Sequence, residues 1–331
     1  MNEKAESPGT LHVPARYVPV PTSVSEAAQQ VLAMGVITPP VDWPALDDVQ
    51  AWRELVNIQD EMVQSILDGT MGGDDVAVVA RTVNGVPVFE TRGQHVGPHD
   101  RRVYLEVHGG AWAFQGGAVC RLLAMAVARS VDVPVWSVDY RRPPDHPFPA
   151  AVADCLAVYR DLLRDRRPGE IVIGGTSAGG NIAAATVFAA RDQGLPLPAA
   201  VVLNTPATDL SASGDTWKTN VGLDNILTGT EKAAMLLYAG GGDLRDPLIS
   251  PLFGDFSKGF PPTILTTGTR DLLLSDTVRM HRALRAAGVP AELHVWEAAA
   301  HGLFLGLAPE DADRAREIKH FLDGHWSDAG A

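Results

Sequence analysis

From about residue 75 onward, apolar and polar positions alternate in short runs bounded by turn residues. Val-Tyr-Leu-Glu-Val at 103–107 and Ala-Glu-Leu-His-Val-Trp at 291–296 follow a period of two, and Ile-Val-Ile at 171–173 is a short apolar run. Both patterns read as strands. Eight are expected, near 75–83, 86–92, 101–107, 134–139, 170–174, 199–204, 263–267 and 291–296. The later ones alternate with helix-like stretches, such as the Ala-rich 183–190 and the segment holding Met280 and Leu284. That rhythm predicts an α/β fold, with a mostly parallel eight-stranded sheet covered by helices on both faces.

Three segments lie outside the rhythm. Residues 1–24 are Pro-rich and polar and read as a flexible arm. Residues 25–70 carry helix patterns over Ser25–Met34 and Asp47–Leu67 and no strand signal. The third, 207–250, is too long for a strand–helix connection and includes a helix-like stretch from Thr230 to Tyr238. The core is therefore expected over 71–206 and 251–331, with 207–250 as an insertion.

The strand ending near residue 174 runs into Gly175-Thr176-Ser177-Ala178-Gly179 and then a helix. Gly-x-Ser-x-Gly between strand and helix is a nucleophile elbow: a turn so sharp that a side chain at either glycine would clash, with the serine hydroxyl raised above the sheet. The plainer alternative is a glycine turn with Ser177 as helix N-cap. Upstream, the strand at 101–107 opens into His108-Gly109-Gly110-Ala111-Trp112. The N–H groups of Gly109 and Gly110, with that of Ala178, are candidate oxyanion donors. Gly109-Gly110 also reads as an ordinary flexible turn, and His108 as a local positioning residue.

A serine nucleophile needs an imidazole base and a carboxylate that orients it. Asp271 stands just past a strand end, where functional groups collect in open parallel sheets. His301 lies in the loop between the last strand and the last helix. The rivals are weaker. His294 is inside a strand, His281 reads as a helix-face residue, and Asp276 as a first-turn helix charge.

Four blocks together resemble the bacterial hormone-sensitive-lipase-like family of α/β-hydrolases, over most of residues 75–325. His108–Trp112 resembles the family's His-Gly-Gly-Gly motif. Asp139–Ala150 resembles its Tyr-Arg-Leu-Ala-Pro-Glu-His-Pro-Phe-Pro-Ala segment. Gly175–Asn181 matches the elbow of the subgroup with Thr before the serine, and Asp271 and His301-Gly302 fall where the family places its acid and base. The resemblance implies an α/β-hydrolase fold, a triad of Ser177, Asp271 and His301, and a helical cap formed by 25–70 and 207–250. The chain departs at Ala111 for the third glycine, Arg142-Pro143 for Leu-Ala, Asp145 for Glu, and Thr176 for the Asp of the larger subgroup. These bear on substrate preference, not reaction class.

The expected reaction is hydrolysis of uncharged, short- to medium-chain acyl esters through an acyl-Ser177 intermediate. Trp112, Phe114, Leu227, Met235 and Tyr238 are the candidate substrate-binding residues, with Trp43, Trp52 and Trp217 also in the expected cap; each reads equally well as core packing. Two alternatives stay open. One is a lactone hydrolase using the same triad, since Arg270–Asp276 resembles sequences labelled ε-lactone hydrolases. The other is a non-catalytic small-molecule receptor. The net charge of −13 argues against nucleic-acid and anionic-membrane partners. No apolar leader and no 18-residue apolar run appears, so a cytoplasmic location is expected. Cys120 and Cys155 read as buried small residues without metal spacing, and neither metal nor cofactor is expected. The last strand is a candidate edge for pairing as a homodimer.

Overall fold

A computed structural model describes residue 11 and residues 13–326. Residues 1–10 and 12 of the expected arm, and 327–331 at the end of the expected core, lie outside the described residues. The alternating runs form one eight-stranded sheet: β1 (Val76–Val83), β2 (Val86–Gly93), β3 (Val103–Val107), β4 (Val135–Val138), β5 (Ile171–Thr176), β6 (Ala200–Asn204), β7 (Thr263–Gly268) and β8 (Ala291–Trp296). The spatial order is β1-β2-β4-β3-β5-β6-β7-β8. β1 pairs antiparallel with β2, and β2 with β4. From β4 onward every neighbour is parallel.

Strand periodicity divides the core in two. Val103, Leu105, Val107, Ile171, Ile173, Val201, Leu203 and Leu265 point to one face. There they pack on α4 (Ala150–Asp165), α5 (Ala178–Asp192) and α8 (Leu274–Ala286). Their neighbours Tyr104, Val135, Val172, Ala200, Val202 and Ile264 point the other way. That face is covered by α3 (Ala118–Ser130) and α9 (Pro309–Asp323) through Leu122, Met125, Ile318, Phe321 and Leu322. Strands covered on both faces are largely apolar, with the buried Glu106 and Ser137 on β3 and β4 bonded to each other. Fully burying one apolar side chain is worth about 1.5–3 kcal/mol, which fixes the register of the central strands.

The helices before the sheet begin where the sequence places caps. Ser25 accepts from Ala28 N at the start of α1 (Glu26–Ala33), and Asp48 from Ala51 N at the start of α2 (Val49–Met71). Val24, just before α1, and Ala28, Val31 and Leu32 of α1 pack against Ala298, Ala299, Leu303 and Phe304. Between β6 and β7 the chain forms a one-turn helix α6 (Thr216–Thr219) and α7 (Lys232–Ala239). Trp52 of α2 is fully buried against Ala234 and Leu237 of α7. No helix among the described residues is long and apolar enough to cross a membrane.

Candidate active site

Ser177 lies between β5 and α5 with φ 59° and ψ −121°, a left-handed conformation costly for a side chain other than glycine's. Its N–H donates to Asn204 O at 2.9 Å, which pins the turn to β6. A Cβ on Gly175 would lie 2.5 Å from Val107 O and 2.5 Å from Gly179 O. On Gly179 it would meet Val107 O, and His108 O at 2.5 Å. Both glycines are thus required by the close approach of the elbow to the end of β3. A strained backbone at a residue lifted above a sheet edge is the geometry of a functional side chain.

β3 ends beside the elbow, and its glycine loop continues along it. A Cβ on Gly109 would sit 3.6 Å from Ser177 Cβ. Gly110, Ala111 and Trp112 follow with φ of 94°, 48° and 64°, so Ala111 occupies a left-handed position that glycine would take at less cost. Among the described residues, no hydrogen bond occupies the N–H groups of Gly109, Gly110 or Ala178. The loop is braced from behind. Tyr140 Oη donates to His108 O at 3.0 Å, and its ring stacks on His108 with centroids 4.2 Å apart. Arg142 donates to Ala113 O at 2.9 Å and to Asp60 of α2 at 3.1 Å. Asp60 also accepts from Gln115 N. Asp145 pairs with Arg53, again on α2. Two of the departures from the family segment therefore both find partners on α2.

Past the carboxyl ends of β7 and β8, His301 Nδ1 and Asp271 Oδ1 are 3.1 Å apart. Asp271 is fully buried, and its carboxylate also accepts from Thr267 Oγ1 and Leu273 N, both at 2.8 Å. These bonds fix its orientation. Burial alone would lower the pKa of His301, but the charges of Asp271, Asp224 and Glu231 outweigh it and hold the imidazole above its ordinary value. Asp224, in the 207–250 segment, was not legible as a site residue. It is fully buried and accepts from Leu272 N at 2.9 Å and from His301 N at 3.4 Å.

The other candidates separate. Trp112, Met235 and Tyr238 are buried in the main core. Trp112 stacks on Tyr238 at 5.3 Å and donates its indole N–H to Asn181. These three are buried, whereas Phe114 and Leu227 are half-buried. Phe114 faces Trp43, with centroids 6.3 Å apart. Trp217 is buried. His294 pairs with Glu292 at 3.3 Å on β8, and His281 is half-buried on α8. Asp276 stands in the first turn of α8, as expected, and is fully buried; it accepts from Asp209 N, and burial pushes it up to about 8. Asn181 is a second residue whose role was missed. Its amide donates to Ala207 O and Ile249 O.

Cys120 and Cys155 are both buried. His108, Cys120 and Asp139 bring three donor atoms within 4.8 Å of one another behind the glycine loop. Their chemistry does not favour a cation. Burial pushes the Cys120 thiol up, so it stays protonated, and the Arg142 guanidinium nearby adds positive charge.

An eight-stranded, mostly parallel sheet with a serine elbow at its centre and an Asp–His pair at its carboxyl edge defines an α/β-hydrolase. Residues 104–305 match the family model described as alpha/beta hydrolase fold. The chain is 37% identical to an acetyl-hydrolase of Streptomyces hygroscopicus over 199 residues, which are 60% of this chain and 66% of that protein, just under two thirds. It superimposes on the crystal structure of esterase E25 with a TM-score of 0.88 and 37% identity, covering 96% of this chain and 99% of that one. An esterase from the bacterial hormone-sensitive lipase family gives a TM-score of 0.80 and 31% identity, covering 92% and 99%. The chain belongs to the bacterial hormone-sensitive-lipase-like family of α/β-hydrolases.

Proposed function

We propose that this carboxylic ester hydrolase cleaves uncharged, short- to medium-chain acyl esters through an acyl-Ser177 intermediate. The observation that carries the reading is the buried Asp271–His301 pair, 3.1 Å apart, on the same sheet edge as the strained Ser177 elbow. Ser177 Oγ attacks the ester carbonyl while His301 Nε2 takes its proton. Asp271 keeps the imidazole in the tautomer with Nδ1 protonated and stabilises the imidazolium that forms. The N–H groups of Gly109, Gly110 and Ala178 receive the oxyanion. Collapse expels the alcohol, which takes the proton from His301. Water, deprotonated by His301, then releases the acid and frees Ser177.

The preference for uncharged esters follows from the carboxylates of Asp271, Asp224 and Glu231 around the base, which oppose an anionic substrate. Residues 25–70 and 207–250 form the cap in this reading. Supporting contacts are Ile37 N to Asn225 O at 2.9 Å, Trp43 Nε1 to Thr230 Oγ1 at 3.1 Å, and Trp52 against α7. Phe114 and Leu227 are the acyl-pocket candidates that remain partly open.

The test is hydrolysis of p-nitrophenyl esters from acetate to dodecanoate, beside a seven-membered lactone, by wild type and Ser177→Ala. Activity should peak at short or medium chains and fall at least ~10⁴-fold in the variant. An unchanged rate in Ser177→Ala would remove the nucleophile assignment. Turnover of the lactone alone would make this a lactone hydrolase.

A further inference from the structure

We infer that Asp224 is a positioning residue for this reaction, its carboxylate tying the 207–250 insertion to both the turn that carries the acid and the loop that carries the base. The inference rests on the reading of His301 as base and Asp271 as its orienter. Asp224 is fully buried. Its Oδ1 accepts from Ile226 N at 2.9 Å and Leu227 N at 3.1 Å, the turn of its own loop. The same oxygen lies 3.4 Å from His301 N. Its Oδ2 accepts from Leu272 N, the residue directly after Asp271, at 2.9 Å.

A local turn explains the first two bonds only. The other two join three segments that are far apart in sequence, and they end on the base itself and on the neighbour of the acid. Hydrogen bonds to an ionised acceptor are about twice as strong as neutral ones, and the dry setting keeps them from being shared with water. The insertion that carries Leu227, a candidate pocket wall, is thereby registered against the Asp271–His301 pair.

The charge has a second effect. The ionisable groups facing His301 are Asp271 on the turn after β7 and Asp224 and Glu231 on the insertion. The α1 face packed on this loop is apolar. A carboxylate near an imidazole favours its protonated form, the form the base takes as the serine proton leaves. Loss of the Asp224 charge should therefore lower the pH at which the base protonates.

The experiment compares kcat, KM and the pH profile of kcat/KM for wild type, Asp224→Asn and Asp224→Ser, with thermal denaturation as the fold control. Asn keeps an acceptor oxygen and loses the charge. Ser keeps a hydroxyl for its own turn but cannot span to Leu272 and His301. We expect kcat to fall roughly 10- to 100-fold in both, as small misplacements of catalytic groups do, and the acid-limb midpoint to move below that of wild type. Folded variants with wild-type kcat and midpoint would overturn the inference; if Asn fails to fold, the Ser variant decides. His301→Ala separates the two levels. If it leaves turnover intact, the base assignment fails. If it abolishes turnover while the Asp224 variants match wild type, only the role of Asp224 fails.

Discussion

Asn181 offers the sharpest test of how the insertion is held. Its side chain is fully buried on the first turns of α5, behind Ser177. The amide nitrogen donates to Ala207 O at 2.8 Å and Ile249 O at 2.9 Å, residues at the two ends of the insertion. The amide oxygen accepts from Trp112 Nε1 at 3.2 Å. Asn181→Ala strands two carbonyl oxygens and one indole N–H where Trp112, Ala207 and Ile249 are themselves buried. Trp112 cannot turn to find another partner without breaking its stack on Tyr238. A buried polar group left unpaired costs about 1–3 kcal/mol. Even at the low end, three of them give about 3 kcal/mol, a large share of the 5–15 kcal/mol that typically holds a domain together. Asn181→Asp should be at least as damaging, because it aims a carboxylate at two carbonyl oxygens. The assay is urea unfolding followed by tryptophan fluorescence, where a lower midpoint at unchanged slope reads as lost stability. A loss in Asn181→Ala within about 0.5 kcal/mol, the ordinary range for a surface change, would refute the reasoning: water would then reach all three groups, and the insertion would be anchored elsewhere.

Other outcomes follow from the same geometry. Asp271→Asn should cut kcat by a factor of order 10³–10⁴ through the wrong imidazole tautomer; if Asp276→Asn proves the more damaging, the acid has been misassigned. Because His301 is active when neutral and its pKa is raised by the carboxylates around it, kcat/KM should fall as pH drops through a midpoint above the ordinary imidazole value of about 6.5. A midpoint below that value, measured on a neutral ester, contradicts the electrostatic picture. Gly179→Ala places a methyl group against Val107 O and His108 O. It should cost about 1–3 kcal/mol or more by overpacking, with activity falling further than stability because β3 leads into Gly109 and Gly110; a thermal shift assay beside turnover checks both.

What was legible in the sequence was what short-range periodicity and steric need encode. All eight strands appear within a few residues of where alternation puts them, because a buried strand leaves no choice about which residues face the core. Ser177 stood out as a candidate because only glycine fits beside it, and the structure brings the candidates Asp271 and His301, each following a strand, to within 3.1 Å of each other. The insertion hid the rest. Asp224 sits in Gly-Leu-Asp-Asn-Ile, where local sequence encodes no more than the turn it makes through Ile226 and Leu227. Its bonds to Leu272 and His301 span 48 and 77 residues, a distance no local pattern encodes. Asp276 does lie in the first turn of α8 as read, but its burial was not legible, for the same reason. A carboxylate in the first turn of α8 is favoured by the helix dipole whether exposed or not, and it is the distant residues Asp209 and Gly214 that cover it. The apolar pocket candidates were ambiguous for another reason: Trp112, Met235 and Tyr238 are large side chains that suit a pocket wall and a core alike, and all three are buried, with Trp112 stacked on Tyr238 and its indole bonded to Asn181. Chemistry at the sheet edge is thus written locally in this chain, whereas the support of that chemistry is written in contacts between the insertion and the edge. Substitutions within 207–250 should accordingly alter substrate range and pH response before they alter the reaction.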